Sequence, residues 1–137
     1  MLSQKTKYGL KALTFLARTE ADVLQSASCI ASHENIPSKY LESILNELKR
    51  NGLVHSKKGK NGGYALARPA SEIKMSTVHR MLEGPIAMLP CVSLNYYQKC
   101  SDCPDEHTCS VNRLMLQVRD STLAILEHQT LADISAQ

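Results

Sequence analysis

The sequence predicts a mainly α-helical chain, a winged helix-turn-helix with a small β-hairpin wing plus a long C-terminal dimerisation helix. Three observations lead there. Two helical segments meet across a short turn near residue 35, and the second carries an apolar stripe on one face. A lysine- and glycine-rich tip, K-K-G-K-N-G-G from Lys57 to Gly63, then joins two short strand-like runs. Finally, charge divides along the chain. Residues 1–70 hold 11 Lys and Arg against 5 Asp and Glu, and residues 71–137 hold 5 against 8. A basic N-terminal half is suited to a polyanion.

The elements follow in order. Tyr8 to Arg18 reads as a first helix with Leu10, Leu13 and Ala17 on one face, broadened by Phe15 and Leu16. Ser26 caps a short second helix, Ala27 to His33, that buries Ile30 and Ala31. Cys29 lies in this helix and reads as a small core hydrophobe. Glu34-Asn35-Ile36 is a tight turn, after which Pro37 and Ser38 open a third helix to about Arg50. Leu41, Ile44, Leu45 and Leu48 fall at the spacing of one buried stripe. Lys39, Glu42, Ser43 and Asn46 are left for the outer face, where a recognition helix meets base edges in the major groove, and Ser38 at the helix start is a further DNA-binding candidate.

Asn51-Gly52 stops that helix. Strands are expected at Leu53–Ser56 and Tyr64–Ala67, with Lys57, Lys58, Lys60 and Asn61 on the tip between them. Glycine there leaves little bulk, so the tip can approach a sugar-phosphate backbone. A plain three-helix bundle with a solvated loop is the bland alternative.

Ser76 is expected to cap a helix from Thr77 to Glu83, and Gly84 to end it. This divides the chain into a winged domain (1–84), a cysteine-rich loop (85–109) and a helix with its tail (110–137). The last helix, Val111 to His128, has a stripe of Val111, Leu114, Met115, Val118, Thr122, Ile125 and Leu126. So long an amphipathic helix has little of its own chain to pack against. Pairing with the same helix of a second subunit, through Leu114, Met115, Val118, Thr122 and Ile125, gives a homodimer. Folding back onto its own domain is the alternative.

Five cysteines in a chain with no charged-then-apolar leader and no membrane-length apolar run point to a cytoplasmic protein using thiols for metal or redox chemistry. Four cluster as Cys91-x8-Cys100-x2-Cys103-x5-Cys109. One Cys-x2-Cys knuckle with longer, unequal flanking spacings tilts toward an iron–sulfur cluster, 2Fe-2S or 4Fe-4S, held by Cys91, Cys100, Cys103 and Cys109. Zinc, or a thiol–disulfide switch through Cys100 and Cys103, remains open, with Asp105 and His107 as substitute ligands. No nucleophile–base pair or phosphate-binding glycine loop is visible, so no enzyme is expected. A non-regulatory iron–sulfur carrier is the rival class, but a carrier has no use for the wing or the polar face of the third helix.

Winged helix, cysteine loop and long helix, in this order, resemble the iron–sulfur-cluster regulator family, the IscR, NsrR and iron-responsive RirA group of bacterial repressors. The resemblance runs nearly end to end. It is carried by Y-L-E-S-I-L-N-E-L-K-R-N-G-L-V (Tyr40–Val54), G-K-N-G-G-Y-A-L-A (Gly59–Ala67) and L-A-D-I (Leu131–Ile134). It implies a homodimer on double-stranded operator DNA, governed by cluster state that reports iron, redox or nitric oxide status. It also implies site discrimination by Tyr40 and Glu42, a basic wing residue at Lys58, and ligation by Cys91, Cys103 and Cys109. Lys39 replaces a polar residue, and Asn112 stands where a histidine ligand is usual; Cys100 is an additional thiol that can fill that gap.

Overall fold

A computed structural model describes residues 2–136, so Met1 and Gln137, the outer limits of the first and last expected segments, lie outside it. The elements follow the predicted order. Helix α1 (Gln4–Arg18) begins before the expected Tyr8, because the Ser3 hydroxyl accepts the Thr6 backbone N–H and caps it. Helix α2 (Ala27–Glu34) is capped by Ser26 and ends at Asn35, whose φ of 55° turns the chain sharply toward the next helix. Helix α3 (Ser38–Arg50) buries the four predicted residues, Leu41, Ile44, Leu45 and Leu48.

Strands β1 (Val54–Lys57) and β2 (Gly63–Leu66) pair antiparallel, with Val54 opposite Leu66 and Lys57 opposite Gly63. The ladder sits one residue nearer the tip than the sequence suggested. Leu53 is occupied instead in ending α3, donating its N–H to the Leu48 carbonyl at 3.0 Å. Gln25, before α2, exchanges two backbone hydrogen bonds with Tyr64, of 2.9 and 2.7 Å. The wing is therefore stapled to the entry of α2 rather than swinging free. Gly62 is required at its base, since a Cβ there would lie 2.0 Å from the Lys57 carbonyl oxygen.

Helix α4 (Met75–Leu82) starts before the expected Thr77. Ser76 does not cap it; it is buried within the first turn, and Lys74 holds the cap position without a side-chain bond. Gly9 lets α4 close on α1, because a Cβ at residue 9 would sit 2.6 Å from Leu82 Cδ1. The cysteine loop is irregular apart from two 3-10 turns, Pro90–Val92 and Glu106–Thr108. It leads into α5 (Ser110–His128) and then α6 (Leu131–Ser135).

The C-terminal tail returns to the N-terminal core. Leu131 is fully buried with Leu13, Ile73 and Val78, and α6 packs against α1. Two backbone bonds lock the return: Leu131 N–H to the Ile73 carbonyl (2.8 Å) and Met75 N–H to the Gln129 carbonyl (2.9 Å). Buried residues from Ala12 to Leu82 thus share one hydrophobic cluster with Leu131. Burial of a leucine of this kind stabilises by about 1.5–3 kcal/mol.

Candidate nucleic-acid interface and cysteine pocket

With its apolar stripe inward, α3 turns Ser38, Lys39, Tyr40, Glu42, Ser43 and Asn46 outward, and all six are exposed. Lys57, Lys58, Lys60 and Asn61 are exposed on the wing. Among the described residues, Lys39 and the three wing lysines form no ion pair, so their charge faces solvent. The recognition-type face is braced from behind by α1. Tyr8 and Tyr40 meet edge to face with centroids 5.6 Å apart, and Lys5 pairs with Glu47 at 3.3 Å.

Cys29 corrects the sequence reading. It is exposed, not a core residue, because only Ile30 and Ala31 of α2 face inward. Its thiol approaches the Gln25 side-chain oxygen at 3.5 Å.

The other four cysteines line one open pocket of about 480 Å³ at the N-terminus of α5. Cys91 is buried, and Cys100, Cys103 and Cys109 are half-buried. The backbone bond from Gln98 N–H to the Pro90 carbonyl (3.2 Å) folds the loop back and brings its second cysteine beside its first. The Cys100 thiol is pushed above its ordinary range, chiefly by hydrogen bonding with Cys91, then by that neighbour's charge and by desolvation. Cys109 caps α5, its sulfur accepting the Asn112 backbone N–H at 3.4 Å.

The donor set suits a thiolate-bound iron or zinc centre. Among the described residues, however, no three Cys, His, Asp or Glu side chains are gathered at metal-binding spacing, so the loop must tighten to enclose one. Asp105 uses its carboxylate to accept the His107 backbone N–H (3.0 Å), and His107 is exposed. Tyr97 donates its hydroxyl to Glu106, which pushes the phenol up to about 12 and ties the middle of the loop to its end.

The apolar stripe predicted for α5 resolves into two faces. Leu126 packs on the core, whereas Val111, Leu114 and Ile125 are 54%, 53% and 63% exposed. Met115 and Val118 are half-buried and Thr122 is exposed. Arg119 reaches from α5 to the Val92 carbonyl at 2.9 Å, holding the start of the cysteine loop against the helix.

Two features escaped sequence reasoning. Asn112 is buried and its side-chain amide donates to Cys91 Sγ at 3.3 Å. Glu83, ending α4, accepts from the Ser3 backbone N–H (3.0 Å), the Ser3 hydroxyl (2.8 Å) and the Thr6 hydroxyl. The bond from Thr6, then those from Ser3, hold its carboxyl down at about 2. The Ser3-x-x-Thr6 spacing signals a cap, but nothing local points to Glu83.

Comparison with known proteins bears on this arrangement. Residues 2–137 match the family described as Rrf2, iron-dependent transcriptional regulator. An rrf2-like HTH-type transcriptional regulator of Rhodobacter capsulatus is 38% identical over 99% of this chain and 93% of its own length. The structure of CymR, described as the global cysteine regulator of B. subtilis, superposes with a TM-score of 0.81 and 29% identity, covering 99% of this chain and 96% of that one. T. potens IscR superposes with a TM-score of 0.76 and 28% identity, covering 98% and 85%.

Proposed function

The chain belongs to the Rrf2 family of transcriptional regulators, and from that membership we propose a homodimeric repressor whose cysteine pocket governs its grip on operator DNA. DNA binding and a non-enzymatic role follow from the family. The finer assignments rest on the residues. The outer face of α3 reads base edges, with Tyr40 and Glu42 discriminating and Ser38, Lys39, Ser43 and Asn46 around them. Lys57, Lys58, Lys60 and Asn61 on the wing contact the phosphate backbone.

The exposed Val111, Leu114 and Ile125 of α5, continued by Met115, Val118 and Thr122, meet the same helix of a second copy. Three large apolar side chains more than half exposed on one helix support that reading. Cys91, Cys100, Cys103 and Cys109 would hold an iron–sulfur cluster, whose redox state and lability supply the signal. The observation that carries this reading is the convergence of four thiols on one pocket at the base of the dimer helix. Tightening the loop around a centre shifts α5 relative to the winged domain, and so the spacing of two recognition helices.

A second reading has its own support. Hydrogen bonding between the Cys100 and Cys91 thiols sets those two side by side, which supports a disulfide between them as the switch, rather than the Cys100/Cys103 pair. Anaerobic purification separates the readings. Visible absorption with stoichiometric iron and sulfide, and operator affinity that changes on cluster loss, is the expected result. A colourless protein whose operator affinity follows only thiol oxidation would replace the cluster with the disulfide.

A further inference from the structure

We propose that Asn112 is the positioning residue of the cysteine pocket, an N–H···S donor that ties Cys91 to Cys109 rather than a ligand. Its backbone N–H donates to Cys109 Sγ at 3.4 Å and its side-chain Nδ2 to Cys91 Sγ at 3.3 Å. One residue therefore touches thiols from opposite ends of the loop. Cys109 is fixed by capping α5, while Cys91 arrives on the 3-10 turn Pro90–Val92, which packs against the same helix.

Both side chains in the second contact are buried, Asn112 at 8% and Cys91 at 8% exposure. A buried amide leaves its donors unsatisfied at a cost, so this bond is specified rather than incidental. An NH2 group aimed at sulfur has no lone pair to give a metal. It withdraws electron density from the thiolate instead, which orients the ligand and raises the reduction potential of whatever centre the sulfur holds. In this chain Asn112 thus serves the pocket from outside the coordination sphere and leaves the fourth ligand to Cys100. The effect on a metal centre rests on the metal-binding reading above; the contact itself does not.

The test has two arms on the full-length reduced protein. In the metal-free chain, the Asn112 side-chain amide proton resonances are expected to lie away from the free-amide position and to return to it in Cys91→Ala. Resonances at the free position in the parent would overturn the contact. In the second arm, cobalt(II) is titrated anaerobically into the parent, Asn112→Ala and the near-isosteric Asn112→Asp.

The thiolate charge-transfer spectrum should keep its shape in all three, while affinity falls about 10–100-fold in the variants, as for lost outer-shell partners. A merely structural role would lower the unfolding temperature of Asn112→Ala while leaving Asn112→Asp with parental affinity, which would overturn the proposal. A changed spectrum in Asn112→Ala, or tighter binding by Asn112→Asp, would make Asn112 a ligand and also overturn it. No cobalt–thiolate spectrum from the parent would sink the metal reading of the pocket, and the resonance arm alone then decides the contact.

Discussion

Tyr8 of α1 and Tyr40 of α3 meet edge to face, their ring centroids 5.6 Å apart and their planes at 82°. The exposed recognition-type tyrosine is therefore aimed by a residue on another helix. Aromatic pairs of this geometry contribute roughly 0.5–1.5 kcal/mol beyond burial. A double-mutant cycle of Tyr8→Leu and Tyr40→Leu should show coupling of that size in operator affinity. Additive losses would mean that Tyr40 reads DNA unaided.

The wing lysines are expected to act on phosphate and not on sequence. Changing Lys57, Lys58 and Lys60 together to Ala should weaken specific and random duplexes alike. It should also reduce the slope of log affinity against log salt by about one per lysine. An unchanged slope in a filter-binding or anisotropy titration would remove the wing from the interface.

The exposed face of α5 predicts the oligomeric state. Leu114→Glu with Ile125→Glu places charges in an apolar seam, which a dimer cannot solvate. Sedimentation should report a folded monomer, because neither side chain belongs to the core. A dimer that survives both changes has its interface elsewhere.

Glu83 gives a pH dependence of defined sign. Its carboxyl is lowered from 4.5 to about 2 by the Thr6 and Ser3 donors. Its stabilising contribution is therefore complete above pH 4.5 and lost as pH falls through about 2. The difference in unfolding temperature between the parent and Glu83→Gln should be present near neutrality and shrink toward acid. A difference that does not vary with pH would show that the clasp does not depend on ionisation.

Leu131 lies in the segment that the sequence assigns to the dimer helix and tail, yet it fills the N-terminal core. Leu131→Ala should cost about 2–5 kcal/mol in denaturant unfolding, as for other buried leucines. Little effect would mean that the tail docks only loosely.

Much of this protein was legible in the chain itself. The α3 stripe of Leu41, Ile44, Leu45 and Leu48, the turn at Asn35 and the glycine–lysine wing are local patterns, set by helical period and backbone preference over a few residues. The outer face of α3 follows from the stripe, because a helix that commits one side to the core must present the other. The convergence of Cys91, Cys100, Cys103 and Cys109 was legible too, since short spacings confine four thiols to one loop.

Tertiary packing decided what depends on contacts between distant residues. Cys29 sits within an apolar-looking helix, but a helix as short as α2 buries one narrow strip, and the neighbouring helices choose Ile30 and Ala31 for it. The α5 stripe looked single because apolar spacing records which residues avoid water without recording what covers them. Packing divides it, sending Leu126 to the core and leaving Leu114 and Ile125 outside. Asn112 touches Cys91, and Glu83 holds Ser3 and Thr6, only because helix ends far apart in sequence are brought together. A hydrogen bond between remote side chains leaves no periodic trace in either segment, so the fold alone could reveal it.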